Sequence, residues 1–244
     1  MKLKKWQKII LGGVIILVIM VTGGLAFLKS STYNPSTAAI VSSEASKEQK
    51  DYYLFSAPEE SDKNLIFYPG ALVEPASYNI WAKEVAAAGY NVYLLKMPFN
   101  LAIFGENKAQ EIINKAPNET YVLAGHSLGG VMASRFVAKH EQEVVGMIYL
   151  ASYPDEKGDL AKAKQSVLSI SATEDQLVTA KDIANTKKYL PKETQYTVIE
   201  GGNHAGFGSY GAQKKDGQAT ISNQTQQEQI SQLIINWLQE KITD

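Results

Sequence analysis

At residues 125–129 the sequence reads Gly-His-Ser-Leu-Gly, and a further glycine follows at 130. Ser127 is the residue here that could do covalent chemistry, because its hydroxyl becomes a nucleophile once a base takes its proton. Packing alone gives no reason to set three glycines around one serine. A backbone turn so sharp that larger side chains would collide does give one. The spacing is G-x-S-x-G, which carries meaning only where a strand runs into a helix. That context is present: the apolar run YVLAG (121–125) precedes the serine, and VMASRFVAKH, with helical character, follows it. The candidate bases are three histidines, His126, His140 and His204. There is no cysteine, which excludes disulfides, thiolate metal sites and a thiol nucleophile.

A nucleophile at a strand–helix junction needs a sheet to hold it. From residue 52 onward short apolar runs alternate with helical patterns, the rhythm of a parallel α/β sheet. The expected strands are 52–55, 64–69, 91–97, 121–125, 146–152, 167–171 and 195–201. Several lack polar alternation, as strands covered by helices on both faces do. Between them, Ser77 is placed to cap a helix whose Tyr78, Trp81, Ala82 and Val85 share a face, with Gly89 ending it. Ala109, Ile112, Ile113 and Ala116 form a second stripe, stopped by Pro117. In the last helix Thr225 and Glu228 suit a capping box, and Ile230, Leu233, Ile234, Trp237 and Leu238 follow at helical spacing. The connection YPDEKGDLAKAKQSV between the strands near 152 and 167 is too short for a large helical cap, so a site on this sheet should be open.

The chain has 244 residues, 45% hydrophobic and 20% charged, which suits one sizeable folded domain. Its net charge of −1 hides an asymmetry: residues 1–29 hold five lysines and no acid, leaving about −6 on the remainder. That acidic remainder is unpromising for nucleic acid, and with Arg135 as the sole arginine a guanidinium cluster for phosphate cannot be built. No His/Asp/Glu grouping has metal-ligand spacing, and the glycines at 201, 202, 206, 208 and 211 do not make the phosphate loop G-x-x-x-x-G-K-[ST]. No cofactor is implied.

Residues 9–28, IILGGVIILVIMVTGGLAFL, are uncharged and almost wholly apolar. Twenty such residues at about 1.5 Å each span roughly the 30 Å hydrocarbon core of a bilayer. The run is longer than the apolar region of a cleaved secretory signal, no clear A-x-A closes it, and Lys29 follows it. An uncleaved anchor therefore fits better than a cleaved signal or a helix buried in the domain. The lysines ahead of the span place the amino terminus in the cytoplasm and the rest outside the cell, or secreted were the segment cleaved. Residues 30–50, rich in Ser, Thr and Ala, are expected to be a spacer, with the folded domain occupying 51–244.

The motif and its setting resemble the α/β-hydrolase superfamily over roughly residues 52–240. The short chain without a cap is similar to the compact dienelactone-hydrolase-like esterases, with serine where some of those carry cysteine. The resemblance implies a chain order of serine, acid, histidine. His126 adjoins the nucleophile, where the elbow turns its side chain away. His140 lies some 20 Å along the following helix. Only His204, in the glycine-rich EGGNHAGFG after the last strand, leaves room for an intervening acid. Asp175, just past the strand 167–171, stands where the resemblance puts that acid; Glu174 and Asp182 are the alternatives. Its carboxylate would accept the imidazole N–H and fix the tautomer.

An oxyanion hole needs two backbone donors. The N–H of Leu128 is one. The other should come from the loop Pro69-Gly70-Ala71-Leu72, with Ala71 favoured over Leu72. Relatives often carry His-Gly in this loop, and Pro-Gly here leaves the backbone role intact. Glu74 could orient a substrate or hold the loop, and Phe207 and Tyr210 could wall a pocket. These expectations describe a membrane-anchored, extracellular serine hydrolase cleaving a small-molecule carboxylic ester through an acyl-enzyme. Acyl transfer to an alcohol and a non-catalytic binding protein on the same scaffold are the alternatives. The sequence does not fix the oligomeric state.

Overall fold

The computed structural model describes residues 5–242, except for the side chains of residues 5, 7–12, 15, 16 and 25. It divides into two units, Met1–Thr32 and Tyr33–Asp244. Among its described residues the first contains one helix, α1 (Lys5–Ser30). Among the described residues no helix is long and apolar enough to cross a membrane. The expected span, residues 9–28, lies within α1, and the side chains of residues 9–12, 15, 16 and 25 are outside what is described.

The second unit runs α2 (Thr37–Ser42), β1 (Lys47–Glu48), β2 (Tyr52–Phe55), β3 (Lys63–Tyr68), α3 (Asn79–Ala87) and β4 (Asn91–Leu95). It continues through α4 (Lys108–Ile113), β5 (Thr120–His126), α5 (Leu128–Lys139), β6 (Gly146–Leu150) and β7 (Ser166–Ala172) to α6 (Ala180–Thr186), β8 (Gln195–Ile199) and α7 (Asn223–Lys241). The strands form one sheet in the order β1-β2-β4-β3-β5-β6-β7-β8. Strands β3 to β8 are parallel; β1 and β2 add an antiparallel edge. The central strands are apolar throughout because both faces are covered. On one face Trp81 and Val85 of α3 join Ile230, Ile234 and Trp237 of α7. On the other Ile112 and Ile113 of α4 join Met132, Phe136 and Val137 of α5.

Each expected strand is present, its ends within a few residues of the expectation. The helix starts differ more. Ser77 does not cap α3: it lies in the 3-10 turn Pro75–Tyr78, its hydroxyl buried without a partner. Pro75 opens that turn because its missing N–H costs nothing at a helix start. The cap of α7 is Ser222, whose Oγ accepts the N–H of Thr225 at 3.0 Å; Thr225 is inside the helix. The stretch 30–50 is not a spacer beyond its first residues. Tyr33 pairs with Val73, Ala39 of α2 is fully buried, and the Ser36 N–H donates to the Ser209 carbonyl at 2.7 Å. Its serines spend their hydroxyls on turns and caps, so its polar composition does not signal disorder.

The link from β6 to β7 holds only a 3-10 turn, Glu156–Gly158. The guanidinium of Arg135 on α5 binds both carboxylate oxygens of Asp155 in this link, and this pairing holds the Asp155 carboxyl below its ordinary pKa. The carboxyl edge above β5 is left without a cap.

Candidate active site

Ser127 is the residue between β5 and α5, and its backbone has φ 52° and ψ −126°. A side chain in that region costs on the order of 1–3 kcal/mol and persists only where neighbours fix it. They do: the Ser127 N–H donates to Leu150 O at 3.1 Å, and Ser152 Oγ donates to Ser127 O at 2.6 Å. The glycines have the steric cause that the motif suggested. A Cβ on Gly125 would stand 2.4 Å from the Gly130 nitrogen, one on Gly129 2.0 Å from Tyr68 O, and one on Gly130 2.4 Å from Ser152 Oγ. The start of α5 is thus pressed onto the ends of β3 and β6.

His204 and Asp175 follow β8 and β7 and meet at the same edge. His204 Nδ1 donates to Asp175 Oδ2 at 2.8 Å, with the two side chains 1% and 0% exposed. Asp175 Oδ1 accepts the N–H groups of Leu177 and Val178 at 2.8 and 2.7 Å, which fixes the carboxylate's orientation. Glu174 accepts from the Thr173 hydroxyl. Asp182 completes a capping box with Thr179 on α6. Neither alternative acid is bonded to His204.

Ser127 and His204 line one cavity of about 360 Å³, whose wall includes Leu128, Val131, Leu177 and Val178. A larger cavity of about 540 Å³ lies alongside, with Asn203, Asp216 and Gln226 in its lining and Gln213 shared between the two. Its polar groups are engaged in holding the histidine loop. Asp216 accepts the N–H groups of His204 and Ala205, and Gln226 binds the Asn203 backbone at both ends of its amide.

Two backbone amides face the question of an oxyanion donor. Leu128 is the first residue of α5, where an N–H has no acceptor within the helix. In the loop after β3, the Gly70 N–H donates to Tyr78 Oη at 3.0 Å and the Leu72 N–H to Asn100 O at 2.7 Å. Between them Ala71 donates no hydrogen bond to the described residues. Glu74 holds this loop, its Oε1 accepting from Asn100 Nδ2 at 3.1 Å.

The remaining histidines serve the scaffold. His140 stacks on Phe136 and pairs with Glu143 at the end of α5. His126 is buried beneath the turn, and Tyr78 Oη donates to its Nδ1 at 2.8 Å. Its ring lies 4.5 Å from that of His204. Burial and the neighbouring His204 hold its pKa well below the ordinary value, so it is neutral. Phe207 and Tyr210 do not line the cavity of Ser127; Phe207 stacks on His126, and Tyr210 packs against Tyr33. Tyr78, Ser152, Asp216 and Gln213 were not singled out by motif, since each acts through a partner distant in sequence.

Residues 64–228 match the model of the alpha/beta hydrolase family. No curated protein matches the chain. Among solved structures it is similar to MGS-MChE2, an alpha/beta hydrolase enzyme from a sediment metagenome of the Mar Chica lagoon, Morocco, at 16% identity and TM-score 0.62 over 81% of this chain and 99% of that one. Est1E from Butyrivibrio proteoclasticus matches at 13% identity and TM-score 0.60, over 79% and 94%. An esterase from Thermogutta terrifontis matches at 12% and 0.59, over 82% and 98%.

Proposed function

This chain belongs to the alpha/beta hydrolase family, and on that premise we propose that it is a serine carboxylesterase, held by residues 9–28 on the outer face of a membrane. The observation that carries the chemistry is the buried 2.8 Å bond from His204 Nδ1 to Asp175, beside a serine on a left-handed turn in the same cavity. With Nδ1–H committed to the carboxylate, Nε2 of the neutral imidazole is the basic nitrogen. It takes the Ser127 hydroxyl proton as Oγ attacks the ester carbonyl. The oxyanion is received by the N–H groups of Leu128 and Ala71, and the imidazolium returns its proton to the departing alcohol. Water, deprotonated by the same nitrogen, then releases the acid from Ser127.

The preference for esters over peptides is what the resemblance to the compact esterases implies, and the uncapped edge offers no added element to grip a peptide. The similar solved structures include Est1E and an esterase by description, which supports the same class. The anchor rests on the uncharged run at 9–28 and the lysines ahead of it. Hydrolysis of p-nitrophenyl acetate tests the chemistry: the native chain should turn it over, and Ser127→Ala should fall to the level of buffer. Turnover surviving in Ser127→Ala would refute the reading.

A further inference from the structure

Phe99, Ile103 and Phe104 are 54%, 50% and 58% exposed within six residues of one another, and the two phenyl rings meet edge to face at 5.9 Å. Single exposed apolar side chains are ordinary, but a cluster of this kind marks a contact surface. The backbone beneath it is held against its own preference, since Phe99 and Asn100 have φ of 56° and 54° in succession. The restraint comes from the loop after β3, through the Leu72 N–H to Asn100 O bond and the Asn100 Nδ2 to Glu74 Oε1 bond.

That loop also receives the first residue of the folded unit. The Tyr33 N–H donates to Leu72 O at 2.7 Å and the Glu74 N–H to Tyr33 O at 3.0 Å. The beginning of the unit, the loop carrying Ala71 and the apolar cluster are therefore one hydrogen-bonded patch at the carboxyl edge. Only Ser31 and Thr32 separate Tyr33 from Ser30, the last residue of α1. Their N–H groups bond back to Phe27, Leu28 and Lys29, so the link is shorter than the roughly 7 Å that two extended residues would reach.

We propose that Phe99, Ile103 and Phe104 dock on the surface of a lipid bilayer, and that the ester substrate is an amphiphile drawn from it. Tyr33, which joins this patch, is five residues after Leu28, the end of the apolar run at 9–28. A chain anchored by that run therefore has little length between bilayer and patch, and phenyl rings settle at headgroup depth. The cations nearby are spent on ion pairs, Lys108 with Asp51 and Lys139 with Glu106, so docking does not require anionic lipid. The proposal rests on the anchor proposed above and not on the proposed chemistry.

Because the chain has no cysteine, a single reporter thiol can be placed cleanly. The full chain carrying Phe104→Cys, labelled with an environment-sensitive dye, is reconstituted into phosphatidylcholine vesicles. Lys192→Cys, exposed just before β8 at the opposite edge of the sheet, is the control. The protein should float with the vesicles, and the dye at 104 should shift to the blue. A headgroup-proximal nitroxide lipid should quench it several-fold more than the dye at 192. Solvent-like emission at 104 in floated vesicles overturns the docking. So does a blue shift that appears in detergent with rising protein concentration, which would assign the patch to a second copy of the chain. A chain that does not float overturns anchor and docking together, while turnover of soluble p-nitrophenyl acetate reports on the chemistry separately.

Discussion

The hydroxyl of Tyr78 joins the amide of Gly70, at 3.0 Å, to Nδ1 of His126, at 2.8 Å, and all three groups are buried. One oxygen thus couples the loop that presents Ala71 to the imidazole underlying the ring of His204. With the Gly70 and Leu72 N–H groups bonded, the Ala71 N–H between them donates no hydrogen bond to the described residues.

Tyr78→Phe keeps the ring and removes that oxygen. Each buried group left unpaired costs about 1–3 kcal/mol, and for a domain of this size each kcal/mol lowers Tm by about 2–4 °C. The slackened loop should lower kcat by about tenfold, less than the 10²–10³ that a lost oxyanion donor costs, because the donor stays and is only displaced. KM should change little, because the contact is made in the transition state. Thermal melts and ester kinetics on the variant check both; a wild-type kcat with a lowered Tm would confine Tyr78 to stability.

His126 makes stability sensitive to mild acid. Its folded pKa lies well below 6.5 through burial and the nearby His204. The unfolded chain takes up a proton there as pH falls through about 6.5, and the native state does not. Stability is therefore unaffected by this group above about pH 6.5 and declines below it, by up to about 1.4 kcal/mol per pH unit. In His126→Asn an amide oxygen can take the Tyr78 hydrogen bond without titrating. Denaturant unfolding of the two proteins should show a gap in pH slope that opens below about 6.5; parallel slopes would mean that His126 is protonated in the fold.

Gly129→Ala should be more damaging than its size suggests. The added methyl would lie 2.0 Å from Tyr68 O and 2.4 Å from Pro69 O, both backbone atoms. Relief requires moving the start of α5 away from the end of β3, at roughly 3 kcal/mol or more. Both proposed oxyanion amides ride on those two elements, so turnover should drop far more than the fraction folded. Circular dichroism with ester kinetics separates the two effects.

The strands and the turn at Ser127 were legible because each rests on a local signal. Apolar runs reveal buried parallel strands, and glycines around Ser127 reveal the turn. His204 and Asp175 are picked out by the chain order that the resemblance implies, and the structure brings the two together at 2.8 Å. Contacts between distant residues left no such trace. Tyr78 reads as one member of a helix stripe, yet its hydroxyl meets a residue 48 positions on. Asp216 reads as a loop acid, yet it fastens the backbone of His204 and Ala205. Residues 30–50 read as a spacer because serines that cap and bridge look the same in composition as serines in solvent. The caps of α3 and α7 were misplaced for a related reason, several hydroxyls near each start being equally able to serve.

The central claim is that His204, oriented by Asp175, activates Ser127. Fluorophosphonate labelling of the native chain, followed by peptide mass mapping, tests it most directly. The account predicts one phosphonyl adduct, on the peptide containing Ser127, formed at least about 10³-fold more slowly in His204→Ala and absent in Ser127→Ala. An adduct on another residue, or an undiminished rate in folded His204→Ala, would contradict it.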